Sequence, residues 1–160
     1  MSYATADLCD DYIGQLQVAE PIFKSYGNKT RFMGPVKTLK IFEDNQQVRD
    51  LLASPGEGRV LVVDGGGSLR CALVGGNLGV LGVKNGWAGI VVYGCIRDAV
   101  EINQQEIGVK ALNTNPTKSI KRGVGEEDLV LNFAGITIEP GCYLYSDEDG
   151  LCVSAEKITL

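Results

Sequence analysis

RVLVVDGGGS, residues 59–68, carries the clearest structural signal in the chain. Residues 60–63 form a continuous apolar run rich in valine, a pattern that is typical of a strand buried on both faces of a sheet. Asp64 and three glycines follow, and they place a turn or a ligand loop at the end of this strand. A second run of this kind, IVVY at residues 90–93, leads into GCIRD at residues 94–98. Two such strands with a helical pattern between them indicate a layered α/β fold.

Helix and strand patterns alternate on both sides of these two strands. Alternating apolar and polar residues predict a strand over residues 36–42, and then a helix that Asp44 or Asn45 caps and that ends at residues 54–56. The other predicted elements are a helix that Thr5 caps, helices in the second half of residues 69–85 and over residues 99–105, strands over residues 109–112, 129–133, 136–138, 142–145 and 151–154, and a loop over residues 113–125. We therefore expect one α/β domain over residues 1–160, with a mixed sheet.

The composition excludes several kinds of chemistry. Hydrophobic residues at 44% and charged residues at 22% are ordinary values for a globular domain. The chain contains no histidine, which excludes Ser-His and Cys-His nucleophile pairs, imidazole bases and histidine-ligated metal sites. Any catalysis at neutral pH must therefore come from carboxylates, lysine, arginine, backbone amides or a carboxylate-bound metal ion.

The charge balance limits the expected partners. Fifteen basic and twenty acidic residues give a formal net charge of −5, whereas proteins that bind nucleic acids generally present a basic face. We therefore expect no direct contact with nucleic acid. The one basic cluster, which consists of Lys118, Lys121 and Arg122, is interpreted as part of a solvated loop. An acidic chain could still bind a basic segment of another protein.

The cysteines and the chain ends give an expectation about location. The five cysteines are an odd number and form no C-x-x-C pair, so neither a disulfide framework nor a zinc site is predicted. The first residues show no basic region followed by an apolar run, and no stretch reaches the ~18 apolar residues that a membrane span needs. We therefore expect a cytoplasmic protein without a membrane partner.

Two glycine-rich segments could bind a ligand. The glycines at residues 65–67 resemble a phosphate-binding loop but lack the G-x-G-x-x-G spacing and the G-K-[ST] ending, so a tight turn is the alternative. Gly75 and Gly76 precede Asn77 and Leu78 at the start of a helical pattern. Backbone N–H groups at such a helix start can bind a carboxylate. The alternative is a flexible joint between a strand and a helix, and the local sequence favours neither.

A third candidate, Arg97-Asp98 with Glu101, follows the strand at residues 90–93. If a helix begins at Asp98, Glu101 lies on the same helix face. Two carboxylates without a nearby imidazole or thiolate suit Mg²⁺ or Mn²⁺. Arg97 can bind a carboxylate or a developing enolate. Taken alone, these residues favour the alternative interpretation, the exposed start of a helix with Arg97 in a surface salt bridge.

The motifs taken together are more specific than any one of them. The chain resembles the RraA-like family, which comprises regulators of ribonuclease E activity and the related 4-hydroxy-4-methyl-2-oxoglutarate aldolases. The resemblance extends over nearly the whole chain. It is carried by TADLCD at residues 5–10, FEDN at 42–45, GRVLVVDGGGS at 58–68, YGCIRD at 93–98 and NFAG at 132–135.

The resemblance implies a β/β/α (swivelling-domain-like) fold that forms homotrimers, with a divalent cation near each subunit interface. Catalytic members carry a glycine, twenty further residues and then R-D-x-x-E/D, which Gly76, Arg97, Asp98 and Glu101 match. By analogy the backbone of residues 75–78 holds the pyruvate carboxylate and Arg97 contacts the substrate oxygens. Asp98 ligates the metal, and Glu101 acts on it through water.

Two departures from the family pattern bear on the activity. Some aldolase relatives have an acidic residue where this chain has Gly76, and Glu101 can compensate for it. Members that inhibit ribonuclease E can lack the aspartate after the arginine, whereas this chain keeps Asp98. The retained aspartate favours an enzyme.

The resemblance implies a metal-dependent aldolase that cleaves 4-hydroxy-4-methyl-2-oxoglutarate into two pyruvates and decarboxylates oxaloacetate through the same enolate. Either a metal-bound water or a carboxylate such as Glu101 could be the base. A Schiff-base lysine is the internal alternative, although no lysine lies within the glycine and R-D motifs. The hypothesis from another class is an acidic trimer that binds ribonuclease E and inhibits it without catalysis.

Overall fold

The computed structural model describes residues 2–160, which form a large mixed sheet with few helices. The helices are α1 (Thr5–Tyr12), α2 (Gln46–Leu52), α3 (Gly76–Lys84) and α4 (Ala99–Ile102), with a 3₁₀ turn at Ile13–Gln15. The strands are β1 (Leu16–Val18), β2 (Lys24–Tyr26), β3 (Phe32–Lys40), β4 (Val60–Asp64), β5 (Ala72–Val74), β6 (Gly89–Ile96), β7 (Gly108–Thr114), β8 (Glu126–Glu127), β9 (Leu131–Phe133), β10 (Ile136–Ile138), β11 (Tyr143–Asp147) and β12 (Gly150–Ser154).

Within the described residues, ten strands form one sheet around a parallel centre. Its main order is β1-β12-β11-β3-β4-β6-β7-β2; β5 pairs with β6, and β8 pairs with β3. The pairs β3–β4, β4–β6, β5–β6 and β6–β7 are parallel, while the outer pairs are antiparallel. Strands β9 and β10 form a separate antiparallel pair. The mixed α/β sheet expected from the sequence is confirmed.

Strand β4 separates two hydrophobic cores, as its uninterrupted apolar run predicts. Residues 60–63 are all completely buried. Leu61 and Val63 pack into the core that contains α2 and α3 residues, whereas Val60 and Val62 pack into the core that β9 and β10 complete. Alternate side chains of a strand point to opposite faces, so one apolar run fills both cores. The result is a layer of helices, the sheet and a second β layer.

The pairing of β5 with β6 brings together two segments that lie far apart in sequence. Val74, the last residue of β5, lies opposite Ile96, the last residue of β6. Because the strands are parallel, the segments that follow them leave the sheet at the same edge. The N–H of Arg97 donates to the carbonyl of Val74 at 2.9 Å and joins the two segments directly. The glycine pair and the Arg-Asp pair therefore become neighbours.

Several local predictions need correction. Ala4, not Thr5, occupies the N-cap position of α1; Thr5 is the first helical residue, and its N–H and hydroxyl donate to the Asp147 carboxylate at 2.7 Å each. The strand predicted over residues 36–42 lies at Phe32–Lys40, because its first half pairs with β11. The helix predicted over residues 99–105 ends at Ile102. None of the helices in the described part of the chain has the length and apolarity needed to cross a bilayer.

Candidate active site

A cavity of about 180 Å³ opens where β5 and β6 end. Six of the seven residues predicted for the site line it: Gly75, Gly76, Asn77, Leu78, Arg97 and Asp98. The seventh, Glu101, lies outside the lining and places its carboxylate against Gly76. The structure thus brings the two motifs into one site, which the sequence alone could only place on the same sheet edge.

The start of α3 supplies backbone donors to this cavity. Gly75 is the N-cap residue, and no side chain caps the helix. The N–H of Gly76 donates to Oδ2 of Asp98 at 2.9 Å. The N–H groups of Asn77 and Leu78 belong to the first helical turn, where no intrahelical acceptor exists, and none is supplied by another part of residues 2–160. These two donors and the positive end of the helix dipole suit a carboxylate.

Two carboxylates approach the two glycines closely. A Cβ atom at Gly75 would lie 2.9 Å from Oδ2 of Asp98, and one at Gly76 would overlap the carboxylate of Glu101. Gly75 has an extended backbone with φ −120°, so its conformation does not require glycine. A side chain at residue 75 or 76 would thus have to displace one of the two carboxylates from its present position.

Asp98 has an unusual backbone conformation for a non-glycine residue. It is the N-cap of α4 with φ 58° and ψ 43°, in the left-handed region that aspartate and asparagine tolerate better than most residues. Its carbonyl accepts the N–H of Ile102 at 2.9 Å, but its side chain does not cap α4. The carboxylate instead points to the glycine pair, where Gly76 occupies one oxygen and the other has no hydrogen-bond partner in the described residues.

The acidic side chains fit a hard, partly hydrated cation. Asp98 and Glu101 both approach the glycine pair, and both offer only oxygen donors. Residues 2–160 contain no cluster of three or more histidine, cysteine, aspartate or glutamate side chains that could enclose a metal ion. Mg²⁺ is commonly bound by one or two carboxylates, with water and substrate oxygens completing its shell. The two carboxylates therefore suit a Mg²⁺ ion that keeps water and substrate oxygens as ligands. They are too few to supply every ligand of a cation.

Arg97 is available for a ligand. Its side chain is half-buried at the cavity, and Nη1 donates to the carbonyl of Pro116 at 3.4 Å, which is a long hydrogen bond. It forms no salt bridge with any acidic residue in the described part of the chain. The alternative expectation of a surface salt bridge at Arg97 is therefore wrong. A guanidinium with free donors at a cavity wall can bind carboxylate or carbonyl oxygens.

Sequence reasoning missed a basic wall on this cavity. Arg49, Lys118 and Lys121 line it as well. Nζ of Lys121 donates at 2.7 Å to Oδ1 of the buried Asn45. The cluster of Lys118, Lys121 and Arg122 was the sequence signal for this wall. Its interpretation as part of a solvated loop correctly predicted that these side chains are exposed, but it did not predict that the two lysines line a cavity.

Asp44 attaches the loop that carries these lysines. Its Oδ2 accepts the N–H groups of Arg122 at 3.1 Å and Val124 at 3.0 Å, while Oδ1 accepts the N–H of Gln46 at the start of α2 at 3.1 Å. Burial raises the pKa of Asp44, but these backbone hydrogen bonds outweigh burial and hold the pKa below its ordinary value. The carboxylate therefore stays ionised and links the loop to the helix.

The triple-glycine segment is a turn and not a ligand loop. Gly66 and Gly67 have φ values of 70° and 72°, which glycine adopts readily. The N–H groups of Gly65 and Gly67 both donate to the carbonyl of Tyr93 at 3.1 Å, and that of Gly66 donates to Oδ1 of Asp64 at 2.8 Å. All three amides are thus used within the fold.

Comparisons with known proteins agree on the family of this chain, although the matched proteins carry different names. The family model RraA-like (Aldolase/RraA) matches residues 5–153. A protein of Alkalilimnicola ehrlichii named "Putative 4-hydroxy-4-methyl-2-oxoglutarate aldolase" is 58% identical over 158 residues, which cover 99% of this chain and 98% of that protein.

Two solved structures are similar over almost their full length. The RNA-processing inhibitor RraA from Thermus thermophilus is 46% identical with a TM-score of 0.95, covering 99% of this chain and 96% of that one. A structure from Geobacillus kaustophilus, described as an S-adenosylmethionine:2-dimethylmenaquinone methyltransferase, is 48% identical with a TM-score of 0.94, covering 98% and 97%. The family model and these relatives agree on ancestry although their names differ. The chain belongs to the RraA-like family.

Proposed function

We propose that this protein is a divalent-metal-dependent aldolase that cleaves 4-hydroxy-4-methyl-2-oxoglutarate into two pyruvates, with oxaloacetate decarboxylation as a secondary activity. The observation that carries the proposal is the convergence of a free helix N-terminus, Arg97 and Asp98 on one cavity. The Alkalilimnicola relative, whose name describes this aldolase, supports it. We further propose a homotrimer in the cytoplasm.

The chain's own groups can bind and orient the 2-oxo acid end of the substrate. The N–H groups of Asn77 and Leu78 receive its carboxylate at the positive end of α3. Arg97 donates to the oxygens on which negative charge develops as the carbon–carbon bond breaks. Such a fixed positive charge is already oriented before the reaction, so it lowers the barrier without reorganisation.

Asp98, through its free oxygen, would hold Mg²⁺ or Mn²⁺ beside this position, and Glu101 would act on the ion through water. When bound, a divalent cation supplies Lewis-acid stabilisation of the pyruvate enolate that both reactions form. Glu101 is exposed and lies next to the site. We therefore propose that its carboxylate is the base that accepts the proton of the 4-hydroxyl group, either directly or through water.

Because lysines line the cavity, a Schiff-base mechanism is the specific alternative to metal-dependent cleavage. A trapping experiment distinguishes the two mechanisms. Lys118 and Lys121 line the cavity, although neither lies within the motifs. A Schiff base with pyruvate would be trapped by borohydride as a stable mass increase, whereas metal-dependent cleavage would leave the protein mass unchanged. We expect no trapped adduct and complete loss of activity in EDTA.

The deciding experiment measures pyruvate release from 4-hydroxy-4-methyl-2-oxoglutarate and from oxaloacetate with Mg²⁺, with Mn²⁺ and with EDTA. We expect turnover of both substrates that needs the metal and that Asp98→Asn abolishes. Absence of turnover in the parent protein under every metal condition would refute the aldolase.

A second function is favoured by one comparison. The Thermus relative is an RNA-processing inhibitor at 46% identity, and the net charge of −5 permits binding to a basic protein segment. On this proposal the partner is ribonuclease E. Micromolar or tighter binding to ribonuclease E, with no turnover of either 2-oxo acid, would support the regulator instead of the enzyme.

A further inference from the structure

The large sheet curves until its two ends approach each other. Strand β1 begins the main strand order and β2 ends it, yet only residues 19–23 separate these strands in the chain. Nζ of Lys110 in β7 donates at 2.7 Å to the carbonyl of Asp147 in β11, although β3, β4 and β6 lie between these two strands in the sheet. A side chain thus spans the concave face of the sheet. Between the two ends, β1 and β2, the structure leaves an unpaired seam within the described residues.

A cavity of about 230 Å³ opens at this seam, and we call it the seam cavity. It is lined by Lys110, by residues 148–151 and by residues within the segment 18–25. None of its lining residues belongs to the cavity where β5 and β6 end. Its volume lies below the ~300–1,000 Å³ of pockets that hold drug-sized ligands, so only a smaller molecule fits.

Lys110 supplies a buried ammonium group with an unused donor. It is only 3% exposed, and Nζ donates at 2.7 Å each to Oγ of Ser25 and to the carbonyl of Asp147. An ammonium group has three protons, and the third has no acceptor within residues 2–160. Burial lowers the pKa of Lys110, and the neighbouring carboxylates, which raise it, do not restore the ordinary value. An anionic ligand would supply the missing compensation.

The rim of the seam cavity carries the opposite charge. Glu20, Glu148 and Asp149 line it, and all three are exposed. Glu148 accepts Nε of Arg31 at 3.3 Å, whereas Glu20 and Asp149 form no salt bridge with another described residue. The cavity therefore presents one buried positive group and two free negative groups at its rim.

The rest of the lining is mostly apolar. Val18, Pro21, Phe23 and Leu151 contribute to it. Phe23 is held in place by an edge-on contact with Phe133, whose ring centroid lies 6.0 Å away, and Leu151 is buried in the same hydrophobic core. A fixed apolar wall beside a few polar groups is typical of a small-molecule site.

We propose that the seam cavity binds a free amino acid with an apolar side chain. Lys110 holds the carboxylate, Glu20 and Asp149 hold the ammonium group, and the apolar wall receives the side chain. A monocarboxylate would leave the rim carboxylates without a partner, and a monoamine would leave Lys110 without one. Only a zwitterion satisfies both through charge-assisted hydrogen bonds.

The test compares three ligands that share one carbon skeleton at the apolar end. L-Leucine carries both charged groups, 4-methylpentanoate lacks the amino group, and 3-methylbutylamine lacks the carboxylate. Calorimetric titration of the parent protein should show that leucine binds at least about tenfold more tightly than either analogue. Failure to bind leucine, or equal affinity for leucine and an analogue, would overturn the proposal.

Variants assign the two ends of the ligand. Lys110→Met keeps most of the side-chain length without the charge and should weaken leucine binding at least about tenfold. The double variant Glu20→Gln, Asp149→Asn should weaken leucine binding by a similar factor and leave the affinity for 4-methylpentanoate unchanged. Glu139→Gln is the matched control, because Glu139 is exposed and does not line the seam cavity.

Unchanged leucine affinity in the double variant would overturn the proposal, and so would an equal loss in Glu139→Gln, since the effect would then be a general field. The double variant changes only exposed residues, so it decides the question even if Lys110→Met fails to fold. Asp98→Asn should bind leucine as the parent does. Loss of leucine binding in that variant would place the amino acid in the other cavity and refute the seam site.

Discussion

The N–H of Gly76 donates a hydrogen bond of 2.9 Å to the carboxylate of Asp98, which follows it by 22 residues in the chain. This contact ties the first turn of α3 to the residue that we assign to the metal. It uses one carboxylate oxygen and leaves the other for a cation. The glycine motif and the acidic motif are therefore one structural unit.

Asp98→Asn is expected to remove activity and keep the fold. Asparagine tolerates the left-handed conformation of residue 98, and its carbonyl oxygen can still accept the N–H of Gly76. It supplies no negative charge to a cation, so kcat/KM for oxaloacetate should fall by about a hundredfold or more. Turnover and thermal unfolding are measured together. An active variant would show that the charge at this position is dispensable.

Gly76→Ala should destabilise the protein through Glu101. The added methyl group would overlap the Glu101 carboxylate, which is the far end of an exposed side chain and can move aside, so the free energy of unfolding should fall by no more than about 1 kcal/mol. The double variant Gly76→Ala, Glu101→Ala should recover most of this loss. Urea denaturation measures all three variants. Gly14→Ala is the control, because nothing lies within 4 Å of a Cβ atom there. Equal losses in the single and double variants would contradict the assigned clash.

Asp44→Asn should loosen the lysine-bearing loop. The carboxylate accepts backbone N–H groups through both oxygens, and an amide can replace only one of them, so roughly 1–3 kcal/mol of stability should be lost at neutral pH. The folded-state pKa of Asp44 is depressed. Its contribution is therefore complete above the unfolded pKa and disappears as the pH falls through the lower folded value.

Denaturant titrations of the parent and Asp44→Asn at several pH values check this expectation. The stability difference between them should shrink at acidic pH, below the ordinary aspartate value of 3.8. A difference that stays constant down to that range would show that the carboxylate charge does not hold the loop.

The five thiols should differ sharply in reactivity. Cys9 is partly exposed, whereas the other four are buried and none is in a disulfide. Burial raises the pKa of Cys142 to about 11 and that of Cys152 to about 12, so few thiolates form at neutral pH. Alkylation followed by mass spectrometry should find fast labelling at Cys9 alone and full labelling after denaturation. Rapid labelling of Cys152 in the folded protein would contradict this.

Strong local patterns made the centre of the fold predictable. The valine-rich run at residues 60–63 and the run at residues 90–93 are buried strands, as expected from their composition. Strands β1, β2 and β5 were missed because each has three residues and owes its conformation to a distant partner, such as Ser154 opposite Leu16. Local sequence carries no trace of such pairing.

The residues of the candidate site likewise fall into some that could be predicted from the sequence and some that could not. Residues 75–78 and the Arg97-Asp98 pair could be predicted because both follow buried strands at one sheet edge. Lys118 and Lys121 could not, because their loop reaches the cavity through contacts of Asn45 and Asp44, side chains more than seventy residues away. Those contacts depend on tertiary packing and leave no periodic pattern.

The interval of twenty residues between Gly76 and Arg97 has a mechanical origin. It consists of α3, one turn and the return strand β6, so the interval measures how far the backbone must travel to leave the sheet edge and come back to it. A residue inserted within α3 would rotate everything after it by roughly 100° around the helix axis. The turn at residues 85–88 is no freer, because Trp87 is buried and the N–H groups of Gly56 and Gly58 donate to carbonyls within the turn. Length changes anywhere in the interval should therefore separate the glycine pair from Arg97 and Asp98.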